Sequence, residues 1–116
     1  MHYICLVYVD ESTFDGFTAE DHKKLAQESL AYDEDLQARG HFIAADALQP
    51  PAEAITVRVR EGAMSTTDGP YLETKEHLGG FILIEARDMN EAVQIASKIP
   101  MARHGGIEVR AAMDIG

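Results

Sequence analysis

Apolar and polar residues follow two periods along the chain, and these periods predict six strands and two helices. Short segments rich in Val, Ile, Leu and Tyr, or with alternating apolar and polar side chains, predict strands. The alternation is clearest at Ile55, Val57 and Val59, which share one face. The predicted strands are His2–Val9, His41–Leu48, Ile55–Arg60, Ala63–Thr67, Phe81–Ala86 and Gly106–Ala112.

Two longer segments follow the helical period. Thr18 is the expected N-cap of the first helix, Asp21 is its reciprocal capping acid, and the helix runs to about Arg39 before Gly40. The second helix has Asp88 as its N-cap and ends at Pro100. The first helix carries an inner stripe spaced by three and four residues, formed by His22, Leu25, Ser29, Tyr32 and Leu36.

The order of these elements predicts an α+β fold in one domain that spans residues 1–116. A tight turn at Glu61-Gly62 joins the third and fourth strands as a hairpin. Without this inserted hairpin the order is βαββαβ, which is the ferredoxin-like plan. Both helices then cover one face of the sheet and leave the other face bare.

The first strand is apolar on both of its faces, which indicates that the bare face of the sheet is covered. Tyr3 and Cys5 lie on one face, and Ile4 and Leu6 lie on the other. A strand that is apolar on both sides needs a covering layer on each side. We expect a homodimer that packs sheet to sheet. The alternative is a longer loop of the same chain that folds over this face.

Composition narrows the classes of partner. With 10 basic and 20 acidic residues, the formal charge is −10, which disfavours nucleic acid and anionic membranes. The single cysteine, Cys5, cannot form an internal disulfide. No apolar run approaches the length of a membrane span, so we expect a soluble, cytoplasmic protein. The five histidines form no metal-binding spacing, and no phosphate loop or dinucleotide fingerprint is present, so neither metal nor cofactor is expected.

The segment Asp68–Gly80 has the highest density of chemically active side chains. It begins with the turn sequence Asp-Gly-Pro and ends with Gly79-Gly80. Between them lie Glu73, Thr74, Lys75 and Glu76. From composition alone, the segment is either part of a small-molecule site or a solvated loop.

Asp68 and Lys75 are the first candidates for catalysis. If the loop folds over the sheet edge, both side chains could enter one pocket, where the carboxylate acts as a base and Lys75 holds an anionic substrate oxygen. The alternative is a salt bridge that fastens the loop. Candidates for ligand binding are Ser29, Tyr32, Asp46, Gln49, Glu73 and Thr74. Tyr32 has a competing interpretation as a core residue whose hydroxyl bonds to backbone, and Asp46 as a carboxylate at the solvent edge.

The same segment resembles the signature of the DGPF-type branch of the YCII-related family. That signature reads Asp-Gly-Pro-Phe, then an acid, Thr-Lys-Glu, and Gly-Gly-Phe, and Tyr71 replaces its Phe. Further matching pieces are Leu48–Pro51, Thr56–Arg60 and Gly105–Arg110, so the resemblance covers nearly the whole chain. It implies a dimeric ferredoxin-like fold, that is, a dimeric α+β barrel, with a pocket near the dimer interface.

The resemblance implies no single reaction. Related YCII-like enzymes of the lyase or isomerase type are thought to use a His-Asp pair, whose His lies on the first helix. Ser29 stands at that place here, and His22 lies two turns earlier. DGPF-type proteins are also often encoded beside extracytoplasmic-function sigma factors, which implies a regulatory link. Two hypotheses follow: a dimer that binds a metabolite or a sigma-factor-linked partner, and an enzyme that uses acid/base chemistry at the Asp68/Lys75 loop.

Overall fold

The main sheet is built around β1, which pairs along both of its edges. A computed structural model describes all 116 residues. The strands and α-helices are β1 (His2–Asp10), α1 (Ala19–Ala38), β2 (Phe42–Ala47), β3 (Ile55–Arg60), β4 (Ala63–Asp68), β5 (Glu76–Glu85), α2 (Met89–Ser97) and β6 (Gly106–Ala111). Three short 3₁₀ turns lie at Glu11–Phe14, Pro51–Glu53 and Pro100–Arg103.

Four strands form one antiparallel sheet in the order β2-β5-β1-β6, and β3 pairs with β4 in a second, two-stranded sheet. The predicted α+β class is confirmed: two helices accompany antiparallel sheets. β1 and β5 keep a regular register from His2 opposite Glu85 to Val7 opposite Gly80. A bulge follows between Val7 and Tyr8, where Gly79 is the extra residue of β5.

The start of β5 differs from the prediction. The strand begins at Glu76, five residues before the predicted start at Phe81. Gly79 and Gly80 made this part of the sequence resemble a loop, because glycine is depleted in strands. Pairing with β1 on one side and β2 on the other overrides that preference. A Cβ at Gly80 would lie 2.9 Å from the carbonyl oxygen of Asp46, so the close approach of β2 requires glycine there.

The predicted helix starts are confirmed. The hydroxyl of Thr18 accepts a hydrogen bond from the Asp21 backbone N–H, and the Thr18 N–H donates to the Asp21 carboxylate. Asp88 caps α2 by accepting from the backbone N–H of Glu91 at 2.8 Å. α2 ends at Ser97, before Pro100, and the chain continues into the 3₁₀ turn that starts at Pro100. Neither α-helix combines the length and hydropathy that a membrane crossing needs.

The core lies between the two helices and one face of the main sheet. Leu36 of α1, Ile84 of β5 and Cys5 of β1 are fully buried at its centre. Burial raises the pKa of the Cys5 thiol to about 11, so it is a small apolar core residue and not a nucleophile. The opposite face of the sheet is only half-covered. It carries the half-buried side chains Ile4, Leu6, Tyr8, Phe81 and Leu83, which we call the free face.

Truncation of Leu36 is expected to destabilise the fold strongly. Leu36→Ala opens a cavity at the centre of the core and should lower the free energy of unfolding by about 2–5 kcal/mol. Leu30 is the matched control on the same helix, because its side chain is 64% exposed. Leu30→Ala should change this free energy by at most about 0.5 kcal/mol. Urea unfolding of the two variants checks the difference, and equal losses would contradict the assignment of the core.

Candidate functional site

A cavity of about 610 Å³ lies between α1 and the main sheet. One wall is the inner face of α1, and another is formed by the end of β2 and the middle of β5. The turn at Pro100 closes a third side. Of its 19 lining residues, 12 are hydrophobic, so the walls are mainly apolar. The strongly polar side chains of the wall are His22, Ser29, Asp33 and Asp46.

The amphipathic pattern of α1 determines which side chains reach the cavity. His22, Leu25, Ser29 and Tyr32 belong to the predicted inner stripe, and all four line the cavity. Leu36 continues the same stripe but is fully buried in the core. The N-terminal part of the stripe therefore faces open space while its C-terminal part is closely packed.

Tyr32 is held by a hydrogen bond to the other helix. Its hydroxyl donates to the backbone carbonyl of Ile95 in α2 at 2.6 Å. Burial raises the pKa of Tyr32 above its ordinary value, so the phenol keeps its proton and remains a donor. The ring lines the cavity, but the hydroxyl is committed to α2. The hydroxyl of Tyr32 is thus bonded to backbone, as expected if Tyr32 were a core residue. Only its ring is available to contact a ligand in the cavity.

Asp33 is a cavity residue that the sequence did not single out. Its side chain is half-buried, and burial raises the pKa of the carboxyl above its usual range. No hydrogen bond or neighbouring charge offsets this effect. A signal was present in the sequence: Asp33 follows Ser29 by four residues, which puts the two side chains one helical turn apart on the same side.

His22 and Asp46 lie toward the outside of the cavity. His22 is exposed and packs among aromatic rings, with centroid distances of 5.8 Å to Phe14 and 5.2 Å to Phe17. Asp46 is exposed near the end of β2, opposite Phe81. A bulge at Phe42–Ala44 breaks the alternation of β2, so Asp46 shares a face with Ala44 but not with Phe42. Simple alternation along the strand would have placed all three side chains on one face.

Asp68 and Lys75 do not line this cavity in the single chain. Asp68 is exposed at the end of β4, opposite Ile55. The Lys75 ammonium lies 3.7 Å from the carboxylate of Asp10 and forms no ion pair with Asp68. Hydrogen bonds from Ser12 lower the pKa of Asp10 most, and Lys75 adds a smaller effect. The pocket expected to contain both Asp68 and Lys75 is therefore not formed within one chain.

The rest of the Asp68–Gly80 segment makes mostly local contacts. The Thr74 hydroxyl donates to the backbone carbonyl of Glu76, and Glu73 is exposed. Gln49, from the preceding part of the chain, is also exposed. The guanidinium of Arg58 lies 4.9 Å from the ring centroid of Tyr71, a cation–π distance. Of the whole segment, only Gly79 and Gly80 line the cavity.

The arrangement favours binding of a compact, mainly apolar molecule that carries a few polar groups. Clefts of this volume with mainly apolar walls and a few polar groups are typical of small-molecule sites. Ser29 supplies a hydroxyl and Asp33 supplies a carboxylate. No group of three or more His, Cys, Asp and Glu side chains is arranged to hold a metal ion.

Removal of Lys75 is expected to leave the fold unchanged. Its side chain is 85% exposed, and an exposed ion pair contributes little because water and salt screen it. Lys75→Ala should therefore have the same urea unfolding midpoint as the wild type. Lys98→Ala is the matched control, since Lys98 is exposed and forms no ion pair. A clear drop for Lys75→Ala alone would show that the Asp10 pair fastens the loop.

Comparison with known proteins shows a solved structure with a similar fold and a relative with a similar sequence. The 5-chloro-2-hydroxyhydroquinone dehydrochlorinase of Burkholderia phenoliruptrix AC1100, solved in complex with 2,5-dihydroxybenzoquinone, aligns over 97% of this chain and 94% of its own, with a TM-score of 0.57 and 15% identity. An uncharacterised protein of Rhizobium meliloti (strain 1021) is 32% identical over 112 residues, which are 95% of this chain and 90% of that protein. The model of the YCII-related domain matches residues 1–115. The chain belongs to the YCII-related domain family.

Proposed function

We propose that this protein binds a small organic molecule, of the size of one substituted ring, in the cavity between α1 and the main sheet. The observation that carries this proposal is the cavity itself, with a volume of about 610 Å³ and mainly apolar walls. Its volume lies within the range of roughly 300–1,000 Å³ that is usual for ligand pockets. Polar groups on one wall, at Ser29 and Asp33, would orient the ligand.

The structural neighbour supports the size class of the ligand. It was solved in complex with 2,5-dihydroxybenzoquinone, a molecule with a single ring. At 15% identity the likeness extends to the fold alone, so the identity of that ligand is not transferred to this chain. A single ring with polar substituents is nevertheless the kind of molecule that an apolar cavity with a few polar groups accepts.

The proposed assembly is a homodimer of the DGPF-type branch. The strand order β2-β5-β1-β6 with two helices fits the ferredoxin-like plan. Ile4, Leu6 and Leu83 leave part of their apolar surface uncovered on the free face. Two copies that pack free face to free face would bury these side chains and form a dimeric α+β barrel.

The second candidate function is a lyase- or isomerase-type reaction. The structural neighbour is a dehydrochlorinase, so this fold supports enzymatic chemistry in at least one protein. In this candidate Asp68 is the base and Lys75 holds a substrate oxygen. Both would need to reach the cavity from a partner subunit, because neither lines it within its own chain. Conversion of a bound ring compound by the wild type, lost in Lys75→Ala, would support this candidate over binding alone.

Filling the cavity is expected to abolish ligand binding. Ser29→Phe places a large ring in the cavity, so compounds that raise the melting temperature of the wild type should no longer do so. Ala31→Phe is the matched control, because Ala31 is exposed on α1 and does not line the cavity. A thermal-shift screen of substituted benzenes and quinones against all three proteins tests this. Compounds that stabilise Ser29→Phe as strongly as the wild type would place the site elsewhere.

A charge on the free face is expected to separate the two copies. The wild type should sediment as a dimer at micromolar concentration, and Leu83→Glu as a monomer, because burial of an unpaired carboxylate opposes association. Val93→Glu serves as the control on the outer side of α2, where Val93 is 45% exposed. A wild type that sediments as a monomer would refute the dimer, and dimeric Leu83→Glu would place the interface on another surface.

A further inference from the structure

Asp33 is the one acidic side chain of the cavity that is half-buried and without a partner. Asp46, the other acid of the wall, is exposed near the end of β2. The Asp33 carboxylate has neither a hydrogen bond nor a neighbouring charge, and the walls around it are mainly apolar. An ionised carboxylate in such surroundings lacks the donors that would offset its loss of water.

Other polar groups of the cavity are less suited to recognise a ligand. The Tyr32 hydroxyl already donates to the Ile95 carbonyl. His22 is exposed and packs against Phe14 and Phe17. Ser29 lies one helical turn from Asp33 on the same side of α1, so its hydroxyl provides a second polar contact close to the carboxylate. The polar part of the cavity is thus concentrated at Ser29 and Asp33.

A ligand that fills the cavity removes the remaining water from Asp33. The carboxylate then needs a hydrogen-bond donor from the ligand, because a buried acceptor without a donor loses the free energy of its hydration. A hydroxyl or a protonated amine supplies such a donor. An anionic group brings a second negative charge next to the first, and the formal charge of −10 on the chain adds to the repulsion.

We propose that Asp33 is the specificity-determining residue of the cavity: it selects small rings that carry a hydroxyl or a protonated amine, and it excludes anionic rings. This inference rests on the proposed function and names its ligand class. The 2,5-dihydroxybenzoquinone bound by the structural neighbour is an acidic molecule that ionises readily, so this protein is expected to bind it poorly.

Four ring compounds of similar size test the proposal by calorimetric titration. Hydroquinone carries neutral hydroxyl donors, 4-hydroxybenzylamine adds a protonated amine, 1,4-dimethoxybenzene has no donor, and 4-hydroxybenzoate carries a negative charge. The wild type should bind the first two at least about tenfold more tightly than the last two, which is the usual effect of a hydrogen bond to a charged group. A larger gain for the amine than for hydroquinone identifies the amine as the preferred donor.

Asp33→Asn and Glu34→Gln form a matched pair, because each removes one negative charge from α1 and Glu34 is exposed outside the cavity. Asp33→Asn should weaken binding of the amine about tenfold and raise the affinity for 4-hydroxybenzoate, whereas Glu34→Gln should preserve the wild-type order. Two results would overturn the role of Asp33 but leave the proposed function standing. One is equal affinity of the wild type for hydroquinone and 1,4-dimethoxybenzene, and the other is no effect of Asp33→Asn on any probe. If none of the four compounds binds the wild type, both the proposed function and the role of Asp33 are contradicted.

Discussion

The cavity depends on how α1 packs against the rest of the protein. At its C-terminal half the helix is fixed by fully buried Leu36 and by the hydrogen bond from Tyr32 to Ile95. At its N-terminal half the inner stripe is not covered: Ser29 is half-buried and His22 is exposed. Close to these residues, the Glu28 carboxylate accepts a hydrogen bond from the Arg103 guanidinium at 2.7 Å, an ion pair at the surface. A helix whose inner stripe is packed at one half and uncovered at the other leaves a space beside the sheet that the side chains of this chain do not fill.

Local signals in the sequence predicted most of the fold. The capping pairs Thr18–Asp21 and Asp88–Glu91 define helix starts with side chains that are neighbours in sequence, so no tertiary information is needed. The start of β5 could not be predicted in this way. Residues 76–80 form a strand only because β1 pairs with them, and β2 pairs with Gly80 as well. Such pairing depends on residues far apart in the chain, and a single sequence does not reveal it.

The site was predicted less well than the fold, because it too depends on contacts between residues that are far apart in the chain. The cavity side of α1, including Ser29 and Tyr32, follows from helical periodicity. Asp68 and Lys75 were predicted as site residues because functional groups are dense in their loop, but this density does not determine the direction in which a side chain points. Asp10, distant in sequence, is the ion-pair partner of Lys75. Asp33 was missed because its importance comes from the apolar walls around it, which only the folded chain assembles. The link to sigma factors stays a prediction.

The proposed dimer and the proposed ligand site are not independent of each other. Phe81 is part of the cavity wall, and its register opposite Leu6 also assigns it to the free face. Asp46 lies opposite Phe81 and belongs to the same wall. A partner that covers the free face would therefore contact residues next to those that enclose the ligand, because Phe81 belongs to both surfaces.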